Sequence, residues 1–202
     1  MEPVIYIVGK DTVPSRISLA AGEELDIILV VLPGTDCSLP LDVDLDAPGA
    51  SANIRGLYIA TGSQKVEMKF NVRHNSGGCY SRQLIKGIAA GSARASFYGR
   101  IYVAPDAQKT KAYQENHNIL ASDRARIDTK PQLEIYADDV ECSHGATIGR
   151  LNEDEQFYMR SRGIPEAEAR KLQMISFLAP VAGLLPQDLA AKVYESLSQC
   201  ED

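Results

Sequence analysis

Thr129-Lys130-Pro131-Gln132-Leu133-Glu134-Ile135-Tyr136-Ala137-Asp138-Asp139-Val140-Glu141-Cys142-Ser143-His144-Gly145-Ala146-Thr147-Ile148-Gly149 is the stretch on which the reading of this chain turns. Leu133 to Tyr136 and Val140 to Ile148 read as strands, and Ala137-Asp138-Asp139 between them reads as a turn. The same grammar extends upstream. Val66, Met68, Phe70 and Val72 alternate with Glu67, Lys69, Asn71 and Arg73, the period of two that marks a strand with one buried face. Further strands are expected at Val4 to Val8, Leu25 to Leu32, Ile54 to Ala60, Ser96 to Val103, Lys111 to Leu120 and Arg126 to Asp128. No helical period of useful length separates them, which argues against alternating strands and helices. A sandwich, a barrel and a solenoid all stay open on pattern alone. Small residues from Gly87 to Ser96 suit tight stacking of coils, but no strict repeat is present.

Downstream the grammar changes. Asn152 with Glu155 three residues on resembles a capping box, and Gly163 closes the short helix that carries Phe157 and Tyr158. Pro165 opens a second helix. Its Ala169, Leu172, Ile175 and Ala179 form one apolar line, and Met174, Phe177, Leu178 and Val181 form another. Pro186 opens a third helix with Leu189, Val193 and Leu197 at i, i+4 and i+8. Two units are therefore expected, residues 1–150 rich in strands and 151–202 helical. A helix with two apolar lines is either sandwiched between the strands and the last helix or docks a partner protein.

Composition narrows the function classes. The chain has 202 residues, 45% of them hydrophobic, enough for a sizeable core. With 21 Lys and Arg against 27 Asp and Glu the formal charge is −6, which argues against a nucleic-acid partner. The longest apolar run, Ile27 to Pro33 with its neighbours, is far short of the roughly 20 residues of a membrane span. No basic region precedes an apolar stretch at the start, so no signal peptide is expected. Cys37, Cys79, Cys142 and Cys200 are widely spaced, with no CxxC, as suits a reducing cytoplasm.

Few residues could carry chemistry. On a strand Cys142 and His144 point to the same side, a thiol beside an imidazole, which suits zinc or iron. Two ligands make no site by themselves, and a buried Cys with a hydrogen-bonded His explains the pair as well. Asp138, Asp139 and Glu141 either add oxygen ligands or solvate the turn. His74 and Cys79 bracket a Gly-rich turn and form a weaker metal pair. His117 sits among Gln114, Asn116 and Asn118, a polar ladder on a strand. No phosphate-binding loop, GxSxG elbow or HExxH is present. No carboxylate pairing marks a carbohydrate-active enzyme. A scaffold or binding protein is the expectation, not an enzyme.

The quoted stretch resembles the C-terminal core of the SufB/SufD family of iron–sulfur cluster assembly proteins. The likeness continues through Phe157-Tyr158-Met159-Arg160-Ser161-Arg162-Gly163-Ile164 and into the helix with Ala169, Leu172 and Phe177. Upstream it includes His74, Ser81, Phe97-Tyr98-Gly99-Arg100-Ile101, Ala107-Gln108-Lys109-Thr110 and Gln114 to Asn118, so it covers about residues 66 to 182. Residues 1–65 carry no motif matched to the family. The resemblance implies a mainly β fold, a right-handed parallel β-helix followed by a small helical domain. It implies pairing through the β-helix with a SufB-like subunit or with a second copy of the chain. It also implies docking of a SufC-type ABC ATPase by the C-terminal helices, with Leu172, Met174, Phe177 and Leu178 as the contact residues.

Gly145 stands where SufB has glutamate, so the chain looks like SufD. His144, and with it Cys142, is then expected at a site shared across the interface, touching iron or a transient cluster, with no tightly bound cofactor. The chain is short beside the family and is read as shortened at its N-terminus. The alternatives are a metal-free adaptor and a self-pairing paralogue outside the usual SufBCD complex.

Overall fold

The computed structural model describes residues 2–34 and 36–200. Eleven strands are followed by three α-helices. The strands are β1 (Val4–Ile7), β2 (Arg16–Leu19), β3 (Glu24–Val31), β4 (Cys37–Leu45), β5 (Ser51–Ala60), β6 (Lys65–His74), β7 (Tyr80–Ala89), β8 (Arg94–Val103), β9 (Thr110–Leu120), β10 (Arg126–Ile135) and β11 (Val140–Gly149). Odd strands form one sheet in the order β1-β3-β5-β7-β9-β11, and even strands form a second in the order β10-β8-β6-β4-β2. Every pairing is parallel. Successive strands therefore alternate between two facing sheets, and the chain winds as a β-solenoid of about five turns. Asn53, Arg82, Tyr113 and Ser143 stand in register on successive coils, so a coil takes about 30 residues.

The period of two decides which side faces the interior. Val66, Met68, Phe70 and Val72 are buried there, and Phe70 meets Phe97 of β8 edge-on at 5.6 Å between centroids. The run Ile27 to Leu32 is continuously apolar because β3 is covered on both sides there. Ile27, Leu29 and Val31 face the solenoid interior, while Ile28 and Val30 lie under the C-terminal helices.

Three strands lie outside the stretches expected from the sequence: β2, β4 and β7. In β4, Leu39, Leu41, Val43 and Leu45 alternate with Ser38, Pro40, Asp42 and Asp44, a period of two interrupted only by the proline, a residue that argues against a strand. Pro40 is tolerated because β2 pairs only with Asp42 to Leu45, so Pro40 has a neighbour on one side alone. In β7 the polarity is mixed on both faces. Ser81 and Gln83 are buried inside, and Leu84 outside packs against the apolar cluster beneath the helices. β10 is one strand through Pro131, which the fold accommodates at a sheet edge.

The helices are α1 (Glu153–Ser161), α2 (Glu166–Ala182) and α3 (Gln187–Ser196), ending in a 3₁₀ turn at Leu197–Cys200. Asn152 caps α1, its side chain accepting from the backbone N–H groups of Asp154 and Glu155. Glu155 does not complete a capping box among the described contacts; it accepts from Gln173 of α2 at 2.7 Å. Met174, Leu178, Val181 and Ala182 of α2, with Leu189 and Val193 of α3, pack on the outer face of the six-stranded sheet against Leu57, Ile59 and Ile88. One apolar line of α2 is thus sandwiched between the sheet and the last helix.

Candidate functional site

β10 and β11 form the last coil and are the edge strands of their sheets, so this end of the solenoid is uncovered. Cys142 pairs with Ala112 and His144 with Gln114, both inward-facing positions of β9. The expected same-side placement of thiol and imidazole is therefore present. Cys142 is half-buried against the cluster of Ile101, Val103, Ala107, Ala112 and Ala137, and His144 is exposed. Burial pushes the Cys142 thiol up from its ordinary value, and a hydrogen bond from the Ala112 backbone opposes that only partly. The uncovered coil also exposes Ile135, Tyr136 and Ile148.

The neighbouring acids do not join the pair. Glu141 points to the opposite face, where it accepts from Lys111 at 2.8 Å and from Tyr113 at 3.1 Å. The Asp139 backbone is tied to Gln108 and Lys109. Among the described residues, no group of three or more His, Cys, Asp and Glu side chains could hold a metal ion. Cys142 and His144 thus offer two donors, and further ligands would have to come from across an interface.

The other histidines and cysteines have plain partners. His74 Nε2 and Ser81 Oγ lie 2.8 Å apart inside the solenoid, and the Cys79 thiol donates to Ala47 O at 3.3 Å. His117 faces outward, with Thr147 at 2.9 Å and Glu115 at 3.4 Å, while Gln114, Asn116 and Asn118 face inward. All four cysteines are free thiols.

A second feature lies at the helices. A groove of about 690 Å³ runs between α1 and α2, lined by Ile119, Leu151, Tyr158, Met159, Leu172 and Phe177 among others. α1 buries none of its residues, and Phe157 and Tyr158 stand 74% and 60% exposed. Of the four expected contact residues, Leu172 and Phe177 line this groove. Met174 and Leu178 do not: both are fully buried against the sheet, because they lie on the face of α2 that covers it. Tyr158 and Met159 are groove residues that the pattern of α2 alone does not reveal. The signal for them is an aromatic pair on an otherwise polar short helix. Lys86 lies over the Phe177 ring at 4.5 Å, and burial lowers its pKa.

The chain is thus a two-sheet parallel β-solenoid with an uncovered end and a grooved helical appendage. The family description "SUF system FeS cluster assembly, SufBD core domain" matches residues 12–177, and the chain belongs to that family. The match begins well upstream of residue 66, so the early coils belong to the shared core although they carry no local motif. The iron–sulfur cluster assembly protein SufD of Escherichia coli is 42% identical over 141 residues, 70% of this chain and 33% of that protein. SufD of Bacillus subtilis is 32% identical over 180 residues, 88% of this chain and 41% of that protein. A SufBD family protein of Mycobacterium leprae is 30% identical over 183 residues, 87% of this chain and 44% of the relative. The chain thus spans a third to under a half of the length of these relatives. No helix among the described residues is long and apolar enough to cross a membrane.

Proposed function

We propose that the chain is a SufD-like adaptor and scaffold subunit, non-enzymatic, that works within iron–sulfur cluster assembly by joining two partners. Its α1–α2 groove docks a SufC-type ABC ATPase. The observation that carries this reading is the apolar groove flanked by the exposed Phe157 and Tyr158, a surface costly to leave wet. The last coil pairs with a SufB-like subunit or with a second copy. Support comes from two edge strands with free backbone groups and from the exposed Ile135, Tyr136 and Ile148. Cys142 and His144 would then contribute to a shared site that handles iron or a nascent cluster as cargo. Free thiols on all four cysteines suit a reducing compartment such as the cytoplasm.

The test is co-purification of the chain with the SufC-type ATPase of the same organism, followed by mass determination. A complex that Leu172→Asp abolishes supports docking in the groove. No complex with the unaltered chain overturns the adaptor role. The presence of only two donors at the open end favours a second reading, a metal-free adaptor. On that reading His144→Ala leaves cluster formation unchanged, whereas a shared site predicts its loss with the fold intact.

A further inference from the structure

The solenoid interior is polar along one line. His74 ends β6, Ser81 and Gln83 face inward from β7, and Thr110, Gln114, Asn116 and Asn118 face inward from β9. All seven are buried to 2% exposure or less. They partner one another incompletely. Gln114 Nε2 donates to Gln83 Oε1 at 3.1 Å, Asn118 Nδ2 donates to Asn116 Oδ1 at 2.7 Å, and the Tyr58 hydroxyl donates to Asn118 Oδ1 at 2.7 Å. His74 Nδ1, Gln83 Nε2, Thr110 Oγ1, Gln114 Oε1 and Asn116 Nδ2 find no protein partner, and Thr129 Oγ1 on the inner side of β10 is a sixth such atom. Leaving a buried donor or acceptor unpaired is expensive, so native interiors rarely do it.

We propose that the solenoid interior holds a line of ordered water molecules along β7 and β9, running from His74 and Thr110 to Gln114 and Asn116 under the last coil. The chemistry of the six atoms selects the occupant. Gln83 Nε2 and Asn116 Nδ2 can only donate, and Gln114 Oε1 can only accept. A metal ion would want acceptors alone, an anion donors alone, and an apolar guest neither. Water serves both kinds, and no ionised side chain lies in the line. Ala112 separates Thr110 from Gln114 in the inward series, and the Gln114 amide reaches across the interior to fill the space over Gly99 of β8, where a β-carbon would meet its Nε2 at 2.4 Å. Roughly seven buried waters are usual for a chain of 202 residues, so the six orphan atoms ask for no unusual number. Gln114 and Asn116 are the register partners of His144 and Ala146, which places one end of the line directly beneath the uncovered coil.

Water ¹⁷O magnetic relaxation dispersion on the intact chain counts internal waters without depending on a variant that folds. Several long-lived waters are expected, with at least one lost in Asn116→Leu. A crystal structure at about 1.5 Å should show density within hydrogen-bonding distance of His74 Nδ1, Gln114 Oε1 and Asn116 Nδ2. Absence of long-lived waters, or density showing these atoms paired to one another, would overturn the proposal.

Discussion

The ring of Tyr58 on β5 lies directly over Gly87 on β7: a β-carbon built at Gly87 would stand 1.9 Å from Tyr58 Cζ. The two residues are register partners, and Gly87 is in turn the partner of Asn118, which accepts the Tyr58 hydroxyl. One side chain therefore ties three coils together, and only glycine leaves space for it. Burial also drives the Tyr58 phenol far above its ordinary pKa, so it stays a donor. Gly87→Ala should cost about 3 kcal/mol by overpacking. Tyr58→Phe should cost about 1 kcal/mol through the lost hydrogen bond. Urea unfolding measures both, and a Gly87→Ala protein as stable as the parent would contradict the contact.

His74 should make stability depend on pH. It is fully buried, and burial lowers its pKa to about 4 against an ordinary value near 6.5. The unfolded chain takes up a proton at this residue below about pH 6.5, while the folded chain resists until about pH 4. The contribution is complete above the higher value and is lost as pH falls through this window, about 3 kcal/mol in all. His74→Leu should flatten that part of the pH profile. An unchanged slope would assign the acid sensitivity elsewhere, for example to Asp44, whose carboxyl the hydrogen-bonded Arg73 holds below its usual range.

Legibility in the sequence followed the apolar alternation. β6 was plain because its inner residues are apolar and its outer residues polar. β7 was hidden because the fold puts Ser81, Gln83 and Gly87 inside, where pattern reading expects large apolar groups. Periodicity left sandwich, barrel and solenoid open, because parallel stacking at about 30 residues per coil tolerates turns of varying length and so leaves no strict repeat. The family resemblance of Thr129 to Gly149 supplied what pattern could not. At the site, the shared side of Cys142 and His144 follows from strand geometry alone. The split between Leu172 in the groove and Met174 in the core depends on where the sheet lies, which α2 does not encode by itself.

Cys142 should react slowly at neutral pH. Burial raises its thiol, and the thiolate is the nucleophile and the metal ligand. Alkylation by iodoacetamide, followed by mass spectrometry of the peptide containing Cys142, should rise about tenfold per pH unit through the neutral range. Iron capture with a partner present should rise in the same direction, because binding displaces the proton. A rate already at its plateau near pH 7 would show a stabilised thiolate and contradict this environment.

Leu172 and Met174 are two residues apart on α2 and should separate binding from stability. Leu172 is 41% exposed in the groove, and Met174 is fully buried against the sheet. Leu172→Asp removes apolar surface only from the groove, so its effect on unfolding should stay within about 0.5 kcal/mol. Capture of the ATPase should nevertheless be lost, because a carboxylate would be desolvated at the contact. Met174→Ala should cost about 3 kcal/mol by opening a cavity beneath the helix, and the folded fraction should still bind. Urea unfolding and co-purification of both variants decide the matter. If Leu172→Asp still captures the ATPase, the partner docks elsewhere; if Met174→Ala is harmless, α2 does not seat on the sheet as described.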